Sequence, residues 1–381
     1  PKYLAEERAG RALFEWTDGS FGDWRAYGWG DVIRNEYTHG VPQGTNNVNV
    51  FPFAGQVLAS GEQGSPPIAL DPITLETKGF VPWSTQLSQG MHEPACFGDA
   101  AFTVHPKWDP DTGELYGWAY RDEKPYATLH WVTPEGTVRS RDLDDAPYAS
   151  LMHDMWLTPD YVVLPHQPLI VGLDRIGDGK AFHGWDPTLP LSLAVIPRHD
   201  IDAPVRWVNV DVEPEYILHT LSANQDGNTI TLDAPIYNEP PFPDDATTET
   251  GTDYIPMSSG ELGRWTIDLD TGRARSERVD DRAVEFPKVD ERYYGRDYKW
   301  GFMLAGENLW SMKTLVRRDV RTGDESSWRI ADPEMPVSVF EPTFAPRTPD
   351  APEGDGYLIV PVSRFMENTS EFQLFDTEPV S

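Results

Sequence analysis

The chain has 381 residues, and its 62 acidic side chains outnumber its 31 basic ones, which gives a formal net charge of −31 at pH 7. Such a surplus of negative charge repels polyanions, so nucleic acid and anionic bilayer surfaces are excluded as default partners. Hydrophobic residues make up 39% and aromatic residues 12% of the chain. An acidic disordered segment carries far less apolar mass, so the chain is predicted to fold.

The single cysteine, Cys96, excludes an intramolecular disulfide and any cysteine-based zinc or iron–sulfur centre. A reducing compartment is the simplest home for such a chain, and a cytoplasmic protein is therefore predicted. No apolar run approaches the ~20 residues that span a bilayer, so no transmembrane segment is expected.

In chain order, a helical pattern is confined to Lys2–Leu13, and strands are predicted beyond it. The 35 prolines and 31 glycines are spread over the whole length and leave little room for ordinary helices. Short runs rich in aromatic and β-branched residues lie between these breakers. The predicted strands are Val48–Phe53, Ala127–Val132, Tyr161–Pro165, Leu193–Pro197, Val205–Val210, Thr229–Leu232, Arg264–Leu269 and Gly356–Val362.

A turn signature, in which an aspartate is followed three residues later by threonine, recurs between strand-like runs. It begins at Asp71, Asp109, Asp268 and Asp319, and Thr133–Thr137 is a looser version. The aspartate can cap its own turn, so these segments are predicted to be hairpin tips. The first two are 38 residues apart and the last two 51, which brackets the blade period of about 40–50 residues in propellers. We therefore predict an all-β propeller in a single domain, 1–381, with a double sandwich as the alternative.

Three of the nine histidines follow apolar, strand-like runs: His105, His153 and His219, separated by 48 and 66 residues. Equivalent strand ends of successive blades converge on a propeller axis, so histidines placed once per blade could meet at one metal ion. An all-imidazole site suits Fe(II), Zn or Cu, and open positions on Fe(II) indicate oxygen chemistry. The alternative is three unrelated histidines.

Motifs along the whole chain resemble those of the carotenoid cleavage oxygenase family, in particular its bacterial lignostilbene- and phenylpropene-cleaving members. They occur in the same order as in the family. Those that carry the resemblance include Asn47-Val48-Asn49-Val50, Val104-His105-Pro106-Lys107, Met152-His153-Asp154, Glu285-Phe286-Pro287, Glu341-Pro342-Thr343-Phe344 and Glu353-Gly354-Asp355-Gly356-Tyr357.

The resemblance implies a seven-bladed propeller with a dome of loops and helix over an axial non-haem Fe(II) held by four histidines. Three of these ligands correspond to His105, His153 and His219. The fourth belongs to a C-terminal segment that the resemblance leads us to expect beyond the 381 residues, as it does an early Gly-Asp-Gly-Met stretch. The family's supporting glutamates, which accept the outer ring N–H of the ligands, correspond to Glu62, Glu285 and Glu341.

The resemblance further implies a dioxygenase that cleaves a conjugated C=C bond with O2 as co-substrate. The stilbene-cleaving relatives bind a 4-hydroxyl with a tyrosine and a lysine, where this chain has Thr17 or Trp16 and Gly61. A carotenoid, an apocarotenoid or another aryl alkene is therefore expected, with Phe242 as a further candidate contact. Peripheral membrane contact could serve the uptake of so apolar a substrate. The alternatives are a non-catalytic propeller scaffold and a metal-dependent isomerase or hydrolase.

Overall fold

The computed structural model describes residues 46, 48–62, 66–87, 102–172, 174–175, 183–200, 202–210, 213–241, 259–308 and 311–377. The predicted helix Lys2–Leu13 and the candidate residues Trp16, Thr17 and Phe242 lie outside these ranges. No helix in the described part of the chain is long and apolar enough to cross a membrane.

Antiparallel strands follow one another in three four-stranded sheets over the first half of the described chain. The first sheet contains β1 (Asn49–Phe53), β2 (Gln56–Ser60), β3 (Ile68–Leu70) and β4 (Thr77–Phe80). A single helical turn, α1 (Ser84–Leu87), precedes the second sheet, which contains β5 (Lys107–Trp108), β6 (Leu115–Tyr120), β7 (Ala127–Val132) and β8 (Val138–Asp142). The third begins with β9 (Trp156–Leu157) and β10 (Tyr161–His166), is interrupted by a hairpin of β11 (Leu169–Val171) and β12 (His183–Trp185), and ends with β13 (Ser192–Pro197) and β14 (Arg206–Asn209).

The fourth sheet has seven strands because two four-stranded meanders share one long strand, β18. Its strands are β15 (Ser222–Asp226), β16 (Thr229–Ile236), β17 (Glu261–Asp268), β18 (Arg273–Lys288), β19 (Trp300–Ala305), β20 (Thr314–Asp319) and β21 (Glu325–Arg329), with a 3-10 turn at Glu291–Tyr293. The fifth sheet contains β22 (Val337–Val339), β23 (Thr343–Pro346), β24 (Gly356–Arg364) and β25 (Thr369–Asp376). In it, β24 pairs with β22 and β23 on one side and with β25 on the other.

Successive sheets pack face to face, and a separate apolar cluster fills each interface. Alternate residues of one strand serve two clusters: Val162 and Leu164 of β10 pack towards the second sheet, whereas Val163 packs towards the fourth. Further clusters join the first sheet to the second and the fourth to the fifth. Because both faces of a sheet are covered, strands such as β6 and β7 are buried along their whole length. The fold is thus all-β and propeller-like, as the sequence predicts.

All eight predicted strands are present, with bounds that differ by a few residues at most. The turn signatures are hairpin tips as predicted, at the β3–β4, β5–β6, β17–β18, β20–β21 and β7–β8 connections. In the first of them, the Asp71 carboxylate accepts hydrogen bonds from the backbone N–H groups of Ile73 and Thr74 at 3.0 and 2.9 Å. The local turn chemistry therefore fixes where each hairpin reverses.

The Asp71 carboxylate is expected to become protonated, and its turn to lose stability, only at an unusually low pH. The backbone hydrogen bonds from Thr74 and then Ile73 favour the carboxylate and lower the pKa of Asp71 from 3.8 to about 2. Since the folded pKa is below the unfolded one, the turn's contribution to stability is present above pH 3.8 and is lost as the pH falls through about 2. An NMR pH titration of the side-chain carboxyl carbon measures this value, with Asp71→Asn as the non-titrating control. A midpoint near 3.8 would contradict the prediction.

Candidate metal centre

Three histidines meet where the first strands of successive meanders begin. His105 lies two residues before β5, His153 three before β9 and His219 three before β15. Their ring centroids are 4.8 to 5.0 Å apart, and one candidate donor nitrogen from each ring lies within 4.8 Å of the others. His105 and His219 are buried and His153 is half-buried. Segments that are 48 and 66 residues apart in sequence thus place three imidazoles around one point.

Side chains from neighbouring strands hold the backbone next to each histidine. Each one donates a hydrogen bond to the carbonyl oxygen of a residue one or two positions before a histidine, which fixes the backbone on that side of the histidine. The pairs are Asn49 with Val104 at 2.9 Å, Trp118 with Met152 at 2.9 Å, and Gln167 with Ile217 at 3.0 Å. Hydrogen bonds of this kind, at three points around the cluster, make a rigid support for ring positions.

Two glutamates contact the outer nitrogens of the rings. Glu62 Oε2 is 2.5 Å from His153 Nδ1, and Glu285 Oε2 is 2.7 Å from His219 Nδ1. In a neutral imidazole, a carboxylate at Nδ1 fixes the tautomer that leaves Nε2 with its lone pair facing inwards, and it makes that nitrogen a stronger donor to a metal ion. In both pairs the carboxylate thus lies at the outer ring nitrogen, where the family resemblance places a supporting glutamate.

A local irregularity in β18 aims Glu285 at His219. The pairing register with β19 shifts between Glu285 and Lys288, and Phe286 has a φ of 50°, in the left-handed region that a bulky side chain rarely adopts. Bulges of this kind re-aim side chains near functional sites. The Phe286 ring then lies 5.4 Å from that of His219, centroid to centroid.

Glu341 is oriented differently from the other two glutamates. Its Oε1 lies 3.3 Å from His219 Nε2 and 3.7 Å from His105 Nε2, so it faces the inner nitrogens rather than an outer N–H. Glu341 lies two residues before β23, which brings the fifth sheet to the same point as the three histidines. The position thus belongs to the cluster, although the carboxylate does not make the outer contact that the sequence analysis expected.

Burial and charge oppose each other in this cluster. Burial, which disfavours a charged imidazole, lowers the pKa of His105 well below its usual range although Glu341 acts to raise it. Burial also acts to lower the pKa of His219, but the charges of Glu285 and Glu341 outweigh it and raise the value to about 10. Burial acts to raise the pKa of Glu341, and His105 and His219 nevertheless hold it far below its ordinary value.

The donor set fits a transition-metal ion. His105 Nε2 and His153 Nε2 are 3.1 Å apart. Two nitrogens bound at about 2.0–2.1 Å and at right angles would be separated by about 3 Å. An imidazole-only set without a thiolate suits Fe(II), Zn or Cu. His105, His153 and His219 could therefore hold such an ion.

Two buried tyrosines lie next to Glu62 and Glu285, and neither is predicted from the sequence. The pKa of Tyr120 is raised by burial and then by the charge of Glu62, and that of Tyr237 by burial and then by the charge of Glu285. Aromatic residues in or beside strands look like ordinary core, so nothing in the sequence marks these two. Of the predicted substrate contacts, Gly61 is buried just after β2, immediately before Glu62, and offers only its backbone there.

Comparisons with known proteins agree over the whole chain. A family model described as RPE65, retinal pigment epithelial membrane protein, matches residues 1–381. The chain is 30% identical to lignostilbene-alpha,beta-dioxygenase isozyme III of Sphingomonas paucimobilis, over 98% of this chain and 75% of the relative. It is 28% identical to isoeugenol monooxygenase of Pseudomonas putida, over 99% of this chain and 77% of the relative.

Two solved structures match this chain over its whole length. The lignostilbene dioxygenase of Pseudomonas brassicacearum matches with a TM-score of 0.79 at 28% identity, covering 100% of this chain and 77% of that one. A cobalt-substituted Synechocystis ACO matches with a TM-score of 0.74 at 22% identity, with the same coverage. At 22% identity, the match to the Synechocystis protein shows a shared fold and nothing further.

Proposed function

The chain belongs to the family described as RPE65, retinal pigment epithelial membrane protein, and we propose that it is a non-haem Fe(II)-dependent dioxygenase. Its relatives include a lignostilbene dioxygenase, an isoeugenol monooxygenase and an apocarotenoid oxygenase. Like them, this chain is an oxygenase that cleaves an alkene. The observation that carries the proposal of a metal is the convergence of three imidazoles, two of them with a carboxylate at the outer nitrogen.

In this proposal, His105, His153 and His219 are the iron ligands. Glu62 and Glu285 support the rings of His153 and His219 at their outer nitrogens. Glu341, which the family resemblance also assigns to this supporting set, lies instead beside the inner nitrogens of His105 and His219. The family resemblance adds a fourth histidine, and the 381 residues contain none after His219. It also adds a seven-bladed propeller in one domain under a dome. The repeated meanders and their face-to-face packing support that architecture.

The reaction joins both atoms of O2 to the two carbons of a C=C bond and yields two carbonyl products. Fe(II), when bound, supplies the electron transfer that activates O2. The imidazoles hold the ion, and Glu62 and Glu285 keep the rings in the tautomer that presents Nε2 inwards. The overall reaction releases no proton, so no residue is needed as a general acid or base.

We propose an apolar conjugated alkene as substrate: a carotenoid, an apocarotenoid or an aryl alkene. Gly61 has no side chain with which to bind the phenolate of a hydroxylated substrate, and this supports a substrate that needs no such contact at that position. Uptake through peripheral contact with a membrane, and a cytoplasmic location, remain predictions.

The test is to load the purified protein anaerobically with Fe(II), measure its iron content, and supply each alkene class with 18O2. We expect about one iron per chain and two carbonyl products that both carry 18O. A carotenoid, an apocarotenoid and a hydroxylated stilbene, assayed side by side, would identify the substrate class. Failure to bind iron in any preparation would favour a scaffold, and products without label would favour an isomerase or hydrolase.

A further inference from the structure

One buried carboxylate connects all three histidine-bearing segments. Asp154 follows His153 directly and is 2% exposed. Its Oδ1 accepts from the backbone N–H of Met155 at 2.6 Å and lies 2.8 Å from the Lys107 ammonium. Its Oδ2 accepts from the backbone N–H of Thr220 at 2.8 Å and from the Thr220 hydroxyl at 3.0 Å.

The partners of Asp154 are close neighbours of the other two histidines in sequence. Lys107 is two residues after His105, and Thr220 directly follows His219. Asp154 itself belongs to the His153 segment. One side chain thus bridges the starts of β5, β9 and β15, which come from three consecutive meanders.

The bridge is closed by further contacts and is shielded from water. The Thr220 hydroxyl also lies 2.7 Å from the carbonyl oxygen of Met155, and its single hydrogen can bond to either acceptor of the second segment, the Asp154 carboxylate or this carbonyl. The Lys107 ammonium is 5.2 Å from the centroid of the Tyr294 ring, and Lys107 is 6% exposed. A buried charge of this kind needs its partner, because loss of one member leaves the other desolvated and unpaired.

We propose that Asp154 is a positioning residue, which sets the separation of His105, His153 and His219 so that the metal site is formed before the ion arrives. The carboxylate bonds to the backbone and to Lys107. It therefore fixes the positions of the backbone segments that carry the histidines, rather than how strongly a ring nitrogen donates to the metal ion. Preorganised ligands bind more tightly, since less ordering remains when the ion arrives. This inference rests on the proposed metal site.

Asp154→Asn is the first test, because it keeps the size of the side chain and loses the charge that balances Lys107. Asp319→Asn is the matched control. Asp319 is 4% exposed, lies 3.4 Å from the Lys299 ammonium, and accepts from the N–H groups of Arg321 and Thr322 at 2.9 and 3.2 Å. These partners lie in the β20–β21 turn and just before β19, and none of the three is next to a histidine of the cluster.

The probe is Co(II), titrated into the metal-free protein in competition with a chelator and monitored by its visible absorption bands. We expect the Co(II) dissociation constant to rise about 10–100-fold in Asp154→Asn, the range seen when outer-shell partners are removed, with altered bands. Asp319→Asn should bind with unchanged affinity and bands, even if its melting temperature falls as much. Thr220→Val, which removes one of the bonds to Asp154, should shift affinity in the same direction by a smaller factor.

If Asp154→Asn binds Co(II) with wild-type affinity and bands, the positioning role is wrong. If Asp154→Asn does not fold, Thr220→Val decides the matter, and wild-type binding by that variant overturns the inference. A wild-type protein that binds neither Co(II) nor Fe(II) would instead overturn the proposed metal site. The two failures are therefore distinguishable.

Discussion

The His153→Ala variant is expected to lose its iron and all alkene cleavage. His153 Nε2 lies 3.1 Å from His105 Nε2, so its removal takes away one of two donors with the spacing of neighbouring ligands. It also leaves the Glu62 carboxylate without the imidazole that it contacts at 2.5 Å. Iron content by elemental analysis, together with O2 consumption in the presence of an alkene, measures both losses.

The matched control for that variant is His130→Ala. His130 is a histidine outside the cluster that is buried in β7, and its Nδ1 is 2.8 Å from the Ser140 hydroxyl. Its loss should lower the melting temperature and leave the iron content at about one per chain. Full iron content and activity in His153→Ala would show that the three histidines do not hold the metal.

The second large effect is expected from Glu285→Gln, which should weaken metal binding by about 10–100-fold. The amide can still accept from His219 Nδ1, but it no longer carries the charge that makes the ring a strong donor. Glu285 is 0% exposed, so water cannot replace the lost charge. A chelator-competition titration with Fe(II) or Co(II) measures the change.

Glu62→Gln provides the internal comparison. Glu62 makes the corresponding contact to His153, but its side chain is 29% exposed, so solvent can compensate in part. We therefore expect the same direction and a smaller factor for Glu62→Gln than for Glu285→Gln. Equal effects, or a larger one at Glu62, would mean that burial does not control the strength of these carboxylate–imidazole pairs.

Local chemistry explains what could be predicted from the sequence. The capping aspartates and the apolar runs act within a few residues, so hairpin tips such as that at Asp71 and strands such as Ala127–Val132 can be recognised from neighbouring residues alone. The grouping of the three histidines also follows from spacing, because blade repeats convert distance along the chain into position around an axis.

Contacts between distant segments explain what could not be predicted. The motifs around His105 and His153 already contain Lys107 and Asp154, but nothing local indicates that these two meet, or that Thr220 joins them. Residue type also fails to fix orientation. Glu285 and Glu341 are both carboxylates within the site, yet Glu285 faces an outer ring nitrogen and Glu341 faces two inner ones. The roles of the glutamates came from the family resemblance alone.

The shared strand β18 has a consequence for where the chain can be divided. Its first part, up to Ala283, pairs with β17 as the last strand of one meander, and from Val284 it pairs with β19 as the first strand of the next. Glu285 lies just past that junction. Because side chains alternate between the two faces of a strand, a one-residue insertion or deletion before Glu285 would turn it away from His219. The seam between these two meanders therefore tolerates neither a cut nor a change of length, unlike the hairpin tips at the opposite ends of the strands.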